Sequence, residues 1–262
     1  MSSGPNLVIL SVGNTRTCVA RVADGAIEST ERFTNEDTAA IVGAASGDWK
    51  ATEPLDRPAI VLATVNEPVA GRLRSALADQ LGVPIYEVGD DLPVPIGRRL
   101  DPETITGADR LLNAAAAFAT VEQACIIVDA GTAVTVDFVD GEGTFHGGAI
   151  APGAAMQLRA MHEATDALPE LEFRRPDDEA FGRSTGEAML IGVYHGIRGM
   201  VWKIVERYAE AYGAFPMVVA TGGDAETLFA DDELVDRIVP DLALQGIVAA
   251  ARHALTSSDE SS

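Results

Sequence analysis

The chain has 262 residues, 47% of them hydrophobic, and a mean hydropathy of +0.12, enough for one large or two small packed cores and too apolar for general disorder. Its 19 Lys and Arg face 40 Asp and Glu, a formal net charge of −21, and the lysines are Lys50 and Lys203 alone. So negative a chain argues against sequence-independent DNA or RNA binding, which depends on cations that neutralise phosphates, and against docking on anionic lipid.

Leu7 to Leu10 is a short apolar run that ends at Ser11-Val12-Gly13-Asn14-Thr15. Thr17 to Val22 follows as a strand, then a turn at Ala23-Asp24-Gly25, then Glu28 to Phe33 as a third strand. Asp37 to Ala45 has helical character, with Asn35 or Asp37 available as its cap. Ala59 to Val65 predicts another strand, closed by Asn66-Glu67-Pro68. Val69, Leu73, Leu77 and Leu81 recur every fourth residue, the spacing of an amphipathic helix. Gly82-Val83-Pro84 breaks it before a short strand over Ile85 to Val88. The Pro-rich, Arg-containing segment Asp91 to Glu103 is the best linker or lid candidate, and an Ala-rich helix runs from Leu111 to Val121.

Ile126 to Gly141 then predicts a buried strand, a tight turn at Ala130-Gly131-Thr132, and a second strand. Thr144 to Ile150 would be its third. Helices are expected over Ala154 to Thr165 and Glu187 to Tyr212, with an acidic loop over Leu168 to Glu179 between them. Met217 to Ala220 is a strand that enters Thr221-Gly222-Gly223-Asp224. A last helix over Asp241 to Leu255 leaves Thr256 to Ser262 as a polar tail expected to be disordered. Cys18 and Cys125 both fall in predicted strands and read as buried thiols, with no disulfide or zinc spacing. The first six residues have no secretory pattern, and no apolar run approaches the roughly 20 residues of a membrane helix, so a soluble, cytoplasmic protein is expected.

Two stretches repeat each other. Ile9-Leu10-Ser11-Val12-Gly13-Asn14-Thr15 aligns with Ile127-Val128-Asp129-Ala130-Gly131-Thr132-Ala133, and each leads into a threonine-bearing strand and an Asp-Gly turn. The chain therefore reads as two similar α/β halves, 1–117 and 118–255, followed by the tail 256–262. The turn after Asp129 sets a carboxylate, an unencumbered backbone and a Thr hydroxyl side by side, the parts needed to meet a phosphate and its cation. A glycine turn alone often serves only the backbone. Two in register, with Thr221-Gly222-Gly223 as a third, suit a nucleotide held in a cleft between two lobes. Asp109 and Arg110 enter a helix just after Gly107. They read either as a first-turn acid beside a solvated Arg or as a proton acceptor and an anion-binding guanidinium. His146, His162 and His195 are scattered and share no metal spacing.

These residues carry a resemblance. Gly107-x-Asp109-Arg110, Asp129-x-Gly131-Thr132-Ala133, Gly147-Gly148-x-Ile150-x-Pro152-Gly153, Ser184-Thr185 and Thr221-Gly222-Gly223 occur in the order seen in type III pantothenate kinase, over residues 7 to 255. That resemblance implies a fold of two duplicated actin-like (ribonuclease H-like) α/β lobes and ATP-dependent phosphorylation of pantothenate, the first step of coenzyme A synthesis. It makes Asp109 the catalytic base and assigns Gly107, Ala108, Asp109, Arg110 and Thr185 to the substrate. Ser11, Gly13, Asn14, Thr15, Gly131, Thr132, Gly222 and Gly223 would meet ATP. Asp129 would hold a monovalent cation (potassium or ammonium), Mg2+ would accompany the ATP phosphates, and the chain would form a homodimer. Two departures stand out. The family's first motif is Asp-x-Gly-Asn-Thr, and Ser11 replaces its Asp; the Tyr that commonly precedes Gly-x-Asp-Arg has no counterpart in Arg99-Leu100-Asp101-Pro102. The first leaves open an inactive, regulatory or binding relative, and the second a kinase for another small hydroxylated acid.

Overall fold

The computed structural model describes residues 4–259 and divides into two compact units. The first comprises residues up to Ile96, Glu103–Ala116, and residues from Ala243 on; the second comprises Gly97–Pro102 and Ala117–Leu242.

In the first unit, β1 (Asn6–Val12), β2 (Arg16–Ala23) and β3 (Ala26–Thr34) form an antiparallel meander. Asp24 and Gly25 both have positive φ, 48° and 77°, which is the backbone of a two-residue hairpin turn that follows the right-handed strand twist. α1 (Thr38–Thr52) follows, then β4 (Pro58–Thr64), α2 (Glu67–Leu81) and β5 (Ile85–Glu87). The sheet order is β3-β2-β1-β4-β5, with β4 parallel to β1 and β5 parallel to β4. Central β1 is buried at every position except Ser11 because it has neighbours on both sides, whereas edge strand β3 leaves Glu28, Glu31 and Arg32 exposed. Ile41, Ala45 and Trp49 of α1 and Leu73 and Leu77 of α2 pack on Val8, Leu10, Ile60 and Leu62. Of the two cap candidates, Asp37 takes the role: its Oδ1 accepts from Ala40 N at 3.0 Å. Asn35 is bonded elsewhere.

The segment that the sequence offers as a linker or lid carries a two-residue strand, β6 (Gly97–Arg98), paired with Thr144 and Phe145. Gly97 and Arg98 are thus the edge of the second sheet, and the chain passes from the first unit to the second at Ile96–Gly97 and back at Pro102–Glu103. α3 (Ala108–Val121) begins in the first unit and ends in the second. β7 (Cys125–Ala130), β8 (Ala133–Val139) and β9 (Thr144–Pro152) then repeat the antiparallel meander of β1, β2 and β3. After α4 (Ala154–Glu163) and α5 (Thr185–Tyr212) come β10 (Met217–Thr221), α6 (Ala225–Phe229) and β11 (Arg237–Ile238). The order β11-β10-β7-β8-β9-β6 repeats that of the first sheet, with β6 added at its edge. Again β10 is parallel to β7, as β4 is to β1. The expected duplication is thus present strand for strand. Val193, Ile197, Val201 and Val205 of α5 pack on Val134 and Val136.

Two expectations are corrected. α7 (Leu242–Asp259) runs four residues past the expected end, so Thr256 to Asp259 is helical and not a disordered tail; Glu260 to Ser262 lie outside the described residues. It also belongs to the first unit, so a single cut near residue 117 misses the return of the chain. The reason is close packing: a Cβ at Gly246 would stand 2.7 Å from the carbonyl carbon of Leu112, so small residues let α7 lie directly on α3.

Both cysteines are free thiols, but they differ. Cys125 is fully buried in β7, and burial pushes its thiol up to about 12; Cys18 in β2 is half-buried, not buried as the sequence suggests. We expect a thiol reagent at about pH 8 to label Cys18 in the native protein and Cys125 only after unfolding, because the thiolate is the reacting species. Peptide mapping of the label checks this, and native labelling of Cys125 would contradict the burial.

Candidate functional site

The site residues fall into clusters at strand ends and at the starts of two helices. In the first unit, the turn after β1 carries Gly13, Asn14 and Thr15, the latter two exposed. Gly13 N donates to Arg16 O at 2.9 Å, which closes the turn. Ser11 lies in register with Cys18 on β2 and Ala63 on β4. Residues directly opposite in a sheet share a face. The row beside Ser11 therefore contains no carboxylate.

The corresponding row in the second unit is different. Asp129 of β7 pairs with Thr135 of β8 and Thr221 of β10, so a carboxylate and two hydroxyls stand abreast. This all-oxygen set suits a hard cation such as K+. No group of three or more His, Cys, Asp or Glu with metal-binding placement occurs among the described residues. The Ser11 row does not fit as a protein carboxylate site for Mg2+. Thr135 and Thr221 are the residues that sequence motifs underplay; their relevance lies in cross-strand register, which the repeat of threonine-bearing strands only hints at.

Around Gly131 and Thr132 the second turn is closed by backbone. Gly131 N donates to Ala133 O at 3.0 Å, Gly153 N to Thr132 O at 3.1 Å, and Asp224 N to Ala130 O at 2.9 Å. Gly222 has φ +95°, and a Cβ there would lie 2.5 Å from Asp129 Oδ1. A Cβ at Gly153 would stand 2.6 Å from Thr132 O. The turns at Gly153 and at Gly222-Gly223 therefore press on the Asp129–Thr132 turn, and only glycine permits that approach. Asp224, which begins α6, is half-buried, and burial raises its carboxyl above the ordinary carboxylate range.

The Gly107-Ala108-Asp109-Arg110 stretch lies at the start of α3. Asp109 Oδ1 accepts from Arg110 N at 2.7 Å. A Cβ at Gly107 would be 2.6 Å from that same oxygen, so glycine leaves the carboxylate its position. Thr185 opens α5, after Ser184 caps it by accepting from Glu187 N at 3.2 Å. It lines a groove of about 760 Å3 with Pro152, Met156, Met161, Leu168 and Met189, all in the second unit. His146 is held by Asp140 at 2.7 Å in a separate aromatic pocket with Phe138, Tyr208 and Tyr212, consistent with a structural histidine.

The duplicated sheets with a glycine turn at the end of each first strand define the class: the actin-like and sugar-kinase-like ATPase fold. A ROK family glucokinase from Streptomyces griseus, solved with glucose and AMPPNP, aligns with a TM-score of 0.52 at 14% identity, over 96% of this chain and 99% of that one. A Campylobacter jejuni protein described as a Baf family transcriptional activator reaches 0.60 at 19% identity, over 97% and 99%. Both are likenesses of fold. The type III pantothenate kinase profile matches residues 7–207. A type III pantothenate kinase from Dehalococcoides mccartyi is 35% identical over 217 residues, 83% of each chain. The chain belongs to the type III pantothenate kinase family.

Proposed function

We propose that this chain transfers the γ-phosphoryl group of ATP to the hydroxyl of pantothenate, with phosphopantothenate and ADP as products. The observation that carries this reading is Gly107-Ala108-Asp109-Arg110 at the start of α3, with the Asp109 carboxylate held by Arg110 N and given room by Gly107. In that arrangement Asp109 accepts the hydroxyl proton as the oxygen attacks phosphorus and the bond to the β-phosphate oxygen breaks. The Arg110 guanidinium pairs with the substrate carboxylate, and Thr185 adds a hydroxyl to substrate binding. The turns at 13–15 and 131–132 offer backbone N–H groups to phosphate, with Ser11 beside the first, while Gly222-Gly223 admits the adenosine without side-chain obstruction.

Asp129, with Thr135 and Thr221 abreast, would hold K+ or NH4+, which supplies positive charge to offset the phosphates. Mg2+ enters with ATP and draws no carboxylate from the Ser11 row. No helix among the described residues is long and apolar enough to cross a membrane. A cytoplasmic homodimer, without nucleic acid or membrane as partner, completes the reading; the charge of −21 supports its last part.

The Ser11 row favours a second reading, a nucleotide-binding relative with slow or no turnover. An ATP-dependent assay with pantothenate in potassium and magnesium separates the two. Turnover is expected, and Ser11→Asp is expected to lower the Mg2+ needed for half-maximal rate by about threefold or more, since a carboxylate attracts a hydrated divalent ion that a hydroxyl barely holds. No turnover in wild type together with no gain in Ser11→Asp would overturn the kinase reading. Turnover with other small hydroxy acids but not pantothenate would move the substrate, in keeping with the missing Tyr.

A further inference from the structure

The two repeated turns are held by different means, and the difference singles out two asparagines that no motif contains. At the first turn, Gly13 O accepts from Asn35 Nδ2 at 2.8 Å, and Thr15 O accepts from Asn35 N at 3.3 Å. Between them, Asn14 O accepts from Asn66 Nδ2 at 3.3 Å. Three successive carbonyls of an exposed turn are thus drawn to two residues. Asn35 is only 8% exposed, and its Oδ1 accepts from the buried Thr17 Oγ1 at 2.8 Å. Because Gly13 O can only accept, the amide orientation of Asn35 is determined by its partners. Asn66 also caps α2, where its Oδ1 accepts from Val69 N at 3.4 Å.

In a planar trans peptide the C=O and the following N–H point in opposite directions. Fixing the Gly13 carbonyl toward Asn35 therefore sets the direction of the Asn14 N–H, and fixing the Asn14 carbonyl toward Asn66 sets that of the Thr15 N–H. In the second turn the counterpart of the Asn14 carbonyl, Thr132 O, accepts instead from a backbone donor, Gly153 N, at 3.1 Å. We infer that Asn35 and Asn66 are positioning residues that pre-orient the backbone donors of residues 13–15 for the phosphates of ATP. This rests on reading that turn as phosphate-binding. A turn already ordered before binding spares the ligand the entropy of ordering it. The role is in ground-state nucleotide binding, so it should move KM for ATP more than kcat.

The test uses the full-length protein, with a non-hydrolysable ATP analogue titrated by calorimetry and steady-state kinetics alongside. Asn66→Ser keeps a helix-capping oxygen and removes the donor to Asn14 O. It is expected to raise Kd for the analogue and KM for ATP by about three- to tenfold, the loss from one or two hydrogen bonds. The KM for pantothenate and kcat should stay within about twofold, and Tm within about 2 °C. Asn35→Ser should raise Kd further, with some loss of Tm because it leaves Gly13 O without its buried donor. Thr15→Val serves as the control on the turn itself. If Thr15→Val weakens nucleotide binding and both Asn variants bind like wild type, the inference is overturned alone. Unchanged binding in all three overturns the inference, and a wild-type protein that binds no analogue overturns the phosphate reading and the inference with it. A lower Tm with unchanged Kd marks the asparagines as merely structural and also sinks the proposal.

Discussion

Asp109→Asn is expected to lower kcat by about a hundred- to ten-thousand-fold, the usual worth of a general base in the transition state. Asparagine is nearly isosteric and retains an oxygen for Arg110 N, so the local bond at 2.7 Å can persist. What it cannot do is take a proton. The variant does lose a negative charge in the first turn of α3, where the helix dipole favours one. That loss should cost Tm no more than about 3 °C. Steady-state kinetics beside a thermal melt separates the two effects, with kcat collapsing while the fold holds. A variant with kcat close to wild type would take Asp109 out of the base role and return it to the status of a helix-terminal acid.

Much of the candidate site is legible as a set of short strings at strand ends and helix starts. Glycine between a buried strand and an alternating one announces a turn, and the repeat of residues 9–15 at 127–133 announces a duplication; the matching strand orders confirm it. The long helices were legible from fourfold apolar spacing, as in α2. Tertiary partnership was not. Asn35 and Asp37 look interchangeable as caps, since both offer a side-chain oxygen; which one caps depends on where Asn35 finds Gly13 and Thr17. β6 and β11 have only two residues each, too few to show a period, and exist because a neighbouring strand offers an edge. The return of α7 to the first unit is invisible for the same reason: Gly246 is one small residue in an apolar helix until Leu112 is beside it. The cation-compatible row at Asp129 needs register, which sets Thr135 and Thr221 abreast of it from segments far apart in the chain.

Gly222→Ala is expected to destabilise the protein by about 3 kcal/mol, lowering Tm by roughly 6–12 °C, whereas Gly223→Ala next to it should shift Tm by less than about 2 °C. Two separate terms act at Gly222. Its φ of +95° is a conformation L side chains rarely adopt, and its Cβ would stand 2.7 Å from the Ala130 carbonyl carbon and 2.5 Å from Asp129 Oδ1. The obstruction on one side is backbone, and that backbone is held by Asp224 N, so it has little room to yield. At Gly223 no atom lies within 4 Å of a Cβ and φ is not positive. The pair therefore isolates approach and backbone conformation from the mere addition of a methyl group. Relief of the strain also has a direction, since the softer neighbour is the Asp129 carboxylate. On the proposal that Asp129 holds K+, its displacement from Thr135 and Thr221 should weaken potassium activation in Gly222→Ala and leave it intact in Gly223→Ala. Melts and a potassium titration of both variants test this together. Equal melting temperatures would show that the close packing of the 221–223 turn on Asp129 and Ala130 does not hold in solution.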